Sequence, residues 1–214
     1  MKYSFFLLFA LAFLGCKEST QTAQTEAKEP FQAALYFRYV ADVQEVTVEF
    51  TPTKQDATGK PQPVRFSEGV FYNGGAMEEK QAYGKIPPKY MIKTKDQFPV
   101  NIELKIKDQL DFITQTPILK SFSARKEGNQ VTINTQTQLS EQDQIVLVFF
   151  DSNGKDYTQK LVGKVQLPYT VTLPDRLLTD PMSVSAIYQK RFTHKSNNLS
   201  MNVLLEYYSA DIVL

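Results

Sequence analysis

Short apolar stretches with a period of two residues are the feature that limits the possible folds of this chain most strongly. Residues 46–50, 102–106 and 131–133 each alternate apolar with polar side chains. That period belongs to strands with one buried and one solvated face. Residues 145–150, IVLVFF, are apolar throughout and predict a central strand buried on both faces. No long stretch has a helical period, so we expect an all-β fold of antiparallel sandwiches.

An internal repeat indicates how the strands are divided between domains. Residues 70–85 (VFYNGGAMEEKQAYGK) and 148–164 (VFFDSNGKDYTQKLVGK) match when one position, Ser152, is skipped. In both, an apolar strand leads into a turn with Asn and Gly, residues that tolerate positive φ. A duplicated domain would give two tandem immunoglobulin-like β-sandwiches, residues 31–116 and 117–214, each near the ~100 residues usual for that fold. The alternative is a chance recurrence of strand and turn patterns, because the identities are few.

The first sixteen residues predict export and lipid attachment. Residues 5–14 form an apolar run of ten, about half of what a membrane-spanning helix needs, and are typical of a signal peptide. The run leads into Gly15-Cys16 and resembles the lipobox of bacterial lipoproteins, although Phe13 stands where Leu is usual and Leu14 where a small residue is usual. The resemblance implies a signal peptide over residues 1–15 and lipidation of Cys16.

Lipidation would hold the protein on a membrane without making the chain span it. Each buried methylene of the lipid contributes roughly 0.8 kcal/mol to membrane binding. The alternative is a secretory peptide with an incidental cysteine, which would leave a free thiol in an oxidising compartment. Lys17-Glu18 follow Cys16 where an Asp would imply inner-membrane retention. We therefore expect a lipid-anchored outer-membrane protein, with its periplasmic or surface face left open. Residues 16–30 carry no large apolar side chain after Cys16 and predict a disordered tether.

The sequence contains no recognisable catalytic or metal-binding pattern. His194 is the only histidine and lies in a polar stretch that predicts a solvated loop, whereas a zinc site needs several His or Cys ligands. Residues 151–156, DSNGKD, are faintly similar to a calcium loop, but an Asn-Gly hairpin turn explains them better. Glu78 and Glu79 would point to opposite faces of a strand, so we interpret them as a solvated rim. We predict no catalytic residue, no metal and no cofactor.

The overall charge argues against nucleic acid as a partner. The chain has 24 Lys and Arg against 23 Asp and Glu, and removal of Lys2 with the signal peptide makes the mature chain neutral. Nucleic-acid binding usually requires a basic patch or stripe, and no basic block occurs here.

Three tyrosines are the candidate ligand contacts. Tyr72, Tyr83 and Tyr90 would form an aromatic platform for a glycan or a peptide, with Asn73 and Glu78 supplying polar contacts. The alternative is that these tyrosines fill ordinary strand positions, with the ring inward and the hydroxyl at the surface.

Three hypotheses for the function remain open. The first is a non-enzymatic envelope lipoprotein that binds a protein or glycan partner or has a structural role. The second is a glycan-binding accessory of a nutrient-uptake system, and the third is an enzyme with an unrecognised carboxylate site. The fold class does not choose between them, because sandwich folds carry many unrelated functions.

Overall fold

The computed structural model describes residues 30–81, 88–95, 97–153, 155–163, 165–175, 182–196 and 198–214. The predicted signal peptide, Cys16 and all of the predicted tether except Pro30 lie outside these residues, as do Tyr83 and Gly154. Within the described ranges, no helix is long and apolar enough to cross a membrane.

The described residues form strands that are mostly short. They are β1 (Phe31–Val40), β2 (Glu45–Gln55), β3 (Pro61–Pro63), β4 (Phe71–Tyr72), β5 (Gly75–Ala76), β6 (Glu78–Lys80), β7 (Lys89–Lys95), β8 (Asn101–Ile106), β9 (Leu110–Gln115), β10 (Ser123–Glu127), β11 (Gln130–Asn134), β12 (Asp143–Phe150), β13 (Asp156–Val162), β14 (Tyr169–Thr172), β15 (Ser183–Ser196), β16 (Leu199–Tyr208) and β17 (Ile212–Val213).

The strands form one long sheet and two smaller ones. The long sheet has ten strands, in the order β13-β12-β15-β16-β1-β2-β7-β6, with β17 beside β15 and β3 beside β2. The four-stranded sheet has the order β5-β4-β8-β9, and the three-stranded sheet the order β10-β11-β14. Among the described strands, β1 and β16 are the one parallel pair, and none of the sheets closes on itself. The predicted all-β class with antiparallel sheets is confirmed.

Both smaller sheets pack against the same face of the long sheet. One buried cluster joins apolar residues of β1, β2, β7 and β16 to those of β4, β8 and β9. A second cluster joins β12, β13 and β15 to β11 and β14. Along β15, Val184 and Tyr188 lie in the second cluster while Phe192 packs against the first. Because side chains alternate along a strand, these even-numbered residues share one face of the sheet. We call it the inner face and the opposite one the outer face.

The alternation predicted from the sequence decides which side chains enter the clusters. Phe37 and Val48 are fully buried on the inner face, while their neighbours Arg38 and Glu49 point to the outer face. Strand β12 departs from the prediction of two buried faces. Its pattern alternates between buried and half-buried residues, because a second sheet covers only its inner side.

The last long strand of the chain completes the first cluster. The first cluster reaches Phe112 and the second begins at Leu119 along the chain, on either side of the boundary predicted between residues 116 and 117. However, the first cluster also contains four residues of β16: Leu199, Met201, Val203 and Leu205. Strand β16 runs parallel to β1 over ten register pairs, from Phe31 with Leu199 to Val40 with Tyr208.

This pairing predicts that the N-terminal half depends on the C-terminal strand. Met201→Ala removes a side chain that is fully buried in the first cluster and should lower the free energy of unfolding by about 2–5 kcal/mol. Urea denaturation measures the loss, and hydrogen exchange should show faster exchange in β1 and β2.

The matched control is Ser200→Ala, an exposed neighbour on β16, which should change the stability by less than about 0.5 kcal/mol. A fragment of residues 31–116 should also fail to give a cooperative unfolding transition, because it lacks the β16 residues. A fragment that unfolds cooperatively, together with unchanged exchange in β1 of Met201→Ala, would contradict the dependence.

Candidate functional site

Two of the tyrosines proposed as ligand contacts are core residues. Tyr72 and Tyr90 are only 4% and 3% exposed and belong to the first cluster. The Tyr90 hydroxyl accepts a hydrogen bond from the N–H of Phe66 at 2.9 Å, and the ring of Tyr72 lies 6.4 Å from that of Phe37. Their rings fill inward strand positions, as the alternative interpretation expected, and do not face a ligand from the surface.

The other predicted contacts do not share a surface with them. Asn73 has a positive φ of 44° and lies in the turn between β4 and β5. Its Nδ2 donates to the carbonyl of Asn101 at 3.1 Å, and its Oδ1 accepts the N–H of Glu103 at 2.8 Å. Glu78 is exposed and forms an ion pair with Lys80, while Tyr83 lies outside the described residues. Asn73 therefore joins the turn to β8, and the described part of the predicted platform is dispersed.

His194 lies in a strand and not in the solvated loop that the polar sequence around it predicted. It belongs to β15, is half-buried, and its ring lies edge-on to Phe112 at 5.0 Å. The reason is that the β15–β16 hairpin extends as far as Ser196 and Leu199, so the polar residues of this stretch alternate with inward ones.

The segment that is faintly similar to a calcium loop lies between β12 and β13, which pair with each other as antiparallel neighbours; its residue Gly154 is outside the described part of the chain. Asp151 Oδ1 accepts the N–H groups of Asn153 and Lys155, both at 2.8 Å. Desolvation alone would raise the pKa of this carboxyl, but the hydrogen bonds from Lys155 and Asn153 hold it below its ordinary value. In the described part of the chain, no three His, Cys, Asp or Glu residues lie close enough to hold a metal ion.

A groove crosses the outer face where β15 and β16 meet β1 and β2. Nine side chains line it: two from each of β1, β2, β15 and β16, placed there by strand alternation, and one from the turn before β12. They are Ala34, Tyr36, Glu49, Thr51, Gln142, Arg191, Thr193, Asn202 and Leu204. The groove has a volume of about 900 Å³, within the usual range of small-molecule sites. We refer to it as the outer groove.

A buried carboxylate lies beside the outer groove and holds its tyrosine in place. Glu206 is 6% exposed. It accepts hydrogen bonds from the hydroxyl of Tyr36 at 2.7 Å, from the hydroxyl of Tyr208 at 3.0 Å and from Nε2 of Gln189. Gln189 Oε1 in turn accepts a bond from Gln144 at 2.7 Å. The network therefore connects β12, β15, β16 and β1, and it fixes the orientation of the Tyr36 ring.

The network also changes the titration of its tyrosines. Burial, followed by the hydrogen bond to Glu206 and its negative charge, raises the pKa of Tyr36 far above the ordinary value. Burial and the charge of Glu206 likewise raise the pKa of Tyr208. Arg38 lies on the same face, with its guanidinium 5.8 Å from the centre of the Tyr208 ring and 3.8 Å from Glu45. Both tyrosines therefore stay protonated as hydrogen-bond donors at neutral pH.

Sequence reasoning missed this site because its members are far apart along the chain. Tyr36 and Glu206 are separated by 170 residues. Each occupies an outward position of an alternating strand, where a polar residue is unremarkable. Only the strand register places Gln144, Gln189, Glu206 and Arg38 in one row across four strands. The sequence of β16, LSMNVLLEYY, contained one signal, because it places the carboxylate of Glu206 next to an apolar run. That signal does not indicate which residues form hydrogen bonds with Glu206.

The hydrogen bond between Tyr36 and Glu206 predicts that the protein loses stability at alkaline pH. Because the folded pKa of Tyr36 is raised above 10.0, its contribution is complete below pH 10 and is lost as the pH rises above 10. Tyr36→Phe should destabilise the protein by about 1.5–3 kcal/mol at neutral pH, since it removes a hydrogen bond to a buried charge. As the pH is raised above 10, the free energy of unfolding of the variant should also fall less than that of the wild type.

Urea denaturation at neutral and alkaline pH tests this, together with tyrosinate absorbance. Tyr169→Phe on β14, outside the network, is the control. If Tyr36→Phe has the wild-type stability at neutral pH and the wild-type alkaline loss, the hydrogen bond has no energetic role.

Comparison of the chain with protein-family models found no match, and comparison with curated protein sequences found none either.

Proposed function

We propose that this chain is a lipid-anchored envelope lipoprotein of the outer membrane whose globular part is a non-enzymatic binding module. The observation that carries the proposal is the outer groove. It lies on a face of the long sheet that none of the described sheets covers, and its tyrosine is held by a buried carboxylate. A preorganised side chain loses little entropy when it binds a ligand.

The strand orders support an architecture of two tandem immunoglobulin-like sandwiches that arose by duplication. The first has β1-β2-β7 opposite β5-β4-β8-β9, and the second has β10-β11-β14 opposite β13-β12-β15-β16. When the short strands β3, β6 and β17 are left out, the two orders correspond strand for strand in sequence order. The turn after Tyr72 then corresponds to the turn after Phe150, and the strand with Tyr90 to the strand with Tyr169. We propose residues 31–116 and 117–214 as the duplicated units, with β16 contributing to both.

A glycan-binding accessory of a nutrient-uptake system is the second candidate, and the chemistry of the outer groove favours it. The floor carries the half-buried ring of Tyr36 and the side chain of Leu204. Neutral hydrogen-bonding groups stand around them: Thr51, Thr193 and Asn202. An apolar plane with polar groups at its edge matches a sugar ring, which has C–H faces and a rim of hydroxyls.

The anchor is tested at Cys16. Cys16→Ala should abolish the incorporation of labelled fatty acid and move the protein from the outer-membrane fraction to the soluble fraction, because one lipidated cysteine carries the whole attachment. Cell fractionation with immunodetection measures the distribution. If Cys16→Ala remains in the membrane fraction and the wild type takes up no label, the lipoprotein proposal is wrong.

The binding role is tested by filling the outer groove. Ala34 is an exposed small residue on its floor, so Ala34→Gln should occupy the space without touching either cluster. Retention on polysaccharide extracted from the cells that make the protein should weaken by about 10-fold or more, which corresponds to about 1.4 kcal/mol. Thr158→Gln, on the exposed edge strand β13, is the control and should bind as the wild type does. If Ala34→Gln and Thr158→Gln are retained equally, the outer groove is not the binding site.

A further inference from the structure

We infer that the outer groove takes a short oligosaccharide with a carboxylate group, and that Arg191 binds this carboxylate. The inference rests on the proposed binding function and names its ligand class. Arg191 is exposed on β15, at the wall of the outer groove. Its register row across the long sheet is Arg191, Leu204, Tyr36 and Glu49, so the charged wall and the aromatic floor lie on one line.

Arg191 is the charged side chain of the outer groove that has no partner among the described residues. The lining carries two charged side chains, Glu49 and Arg191. Glu49 forms an ion pair with Lys89 at 2.7 Å, whereas no described residue forms a hydrogen bond or an ion pair with the Arg191 guanidinium. The charge within the outer groove is therefore positive by one, which favours an anionic ligand.

Glu49, the carboxylate that lines the outer groove, is too far from Arg191 to repel an anionic ligand bound there. The two residues are three strand spacings apart, about 14 Å at 4.7–4.9 Å for each spacing, and Lys89 neutralises the glutamate. A guanidinium binds a carboxylate through two parallel N–H bonds, a geometry that lysine does not reproduce. A carboxylate at the β15 wall would thus meet a fork of donors while the rest of the ligand extends over Leu204 and Tyr36.

The remaining groups of the outer groove suit sugar hydroxyls. The hydroxyl of Thr193 donates to Oδ1 of Asn202 at 3.2 Å, which leaves the amide N–H groups of Asn202 as donors toward the outer groove. The Tyr36 hydroxyl donates its proton to Glu206, so this residue offers a ligand its ring and an acceptor oxygen but no donor. The small side chain of Ala34 leaves space for a ligand beside the Tyr36 ring. These features provide an apolar surface with hydrogen-bonding groups on both sides of it.

An extended peptide fits this site less well. Peptides that add to a sheet use the free backbone groups of an edge strand. On the floor of the outer groove, residues 34–36 of β1 and 202–204 of β16 are paired on both sides, so their backbone groups are already used. The pairing of β15 with β12 ends at Lys190, so the β15 wall is an edge from Arg191 onward. A ligand that lies on the floor is therefore recognised by side chains alone, which suits a molecule that carries many hydroxyls.

The experiment uses the full lipoprotein in detergent and isothermal titration calorimetry. The probes are trimers of galacturonic acid and of sialic acid, each compared with its carboxyl-reduced form, which has the same length and linkage but no charge. At least one acidic trimer should bind about 10-fold or more tightly than its reduced form. Arg191→Ala should abolish that difference, Arg191→Lys should retain part of it, and added salt should reduce it.

Lys195→Ala is the matched control, because Lys195 is exposed on the same face of β15 but does not line the outer groove. It should keep the wild-type preference. The inference is wrong if neither acidic trimer is preferred, or if Arg191→Ala keeps the preference. It is also wrong if a blocked triaspartate peptide binds as tightly as the preferred trimer, since the site would then select charge and not a sugar. In each of these cases the proposed function is decided separately, by the polysaccharide retention of Ala34→Gln and the fractionation of Cys16→Ala.

Discussion

The parallel pairing of β1 with β16 is the interaction on which the rest of the structure depends. It joins the first strand of the globular part to the last long one, over ten register pairs. Closing so long a loop costs about 4–5 kcal/mol of chain entropy on the length-dependent scale. Burial of Leu199, Met201, Val203 and Leu205 contributes about 1.5–3 kcal/mol each, so packing outweighs the cost. Without this pairing the long sheet would divide between β16 and β1, and the first cluster would lose one wall.

The same junction creates the outer groove. Its floor is made of β1 and β16 and its walls come from β2 and β15, so the site exists only where the two halves meet. The network around Glu206 also crosses the junction, since Tyr36 donates from β1 while Gln189 and Tyr208 donate from β15 and β16. Loss of a donor leaves part of a buried charge unsatisfied, which costs more than an exposed hydrogen bond. Tyr36 therefore contributes both to stability and to the candidate site.

The local sequence pattern predicted which side chains of a strand point inward better than it predicted which other strands and sheets lie around that strand. The alternation in residues 46–50 correctly places Val46, Val48 and Phe50 in the core. The apolar run of β12 predicted two buried faces, but the structure covers one, because a run of apolar residues does not reveal how many sheets pack on it. His194 was predicted in a loop because its neighbours are polar, yet the partner strand extends the hairpin through it.

By itself, the sequence determined the all-β class, the positions of turns such as Asn73-Gly74, and which side chains of most strands point inward. These properties follow from interactions between residues close in the chain, and a period of two or a positive φ can be read from a few neighbours. Only the tertiary structure decided that β16 pairs with β1, that Tyr72 and Tyr90 lie in the core, and that Tyr36, Gln189 and Glu206 meet. Strand alternation defines a face but not a partner, and the partner of β1 is chosen by a cluster whose members come from both ends of the globular part.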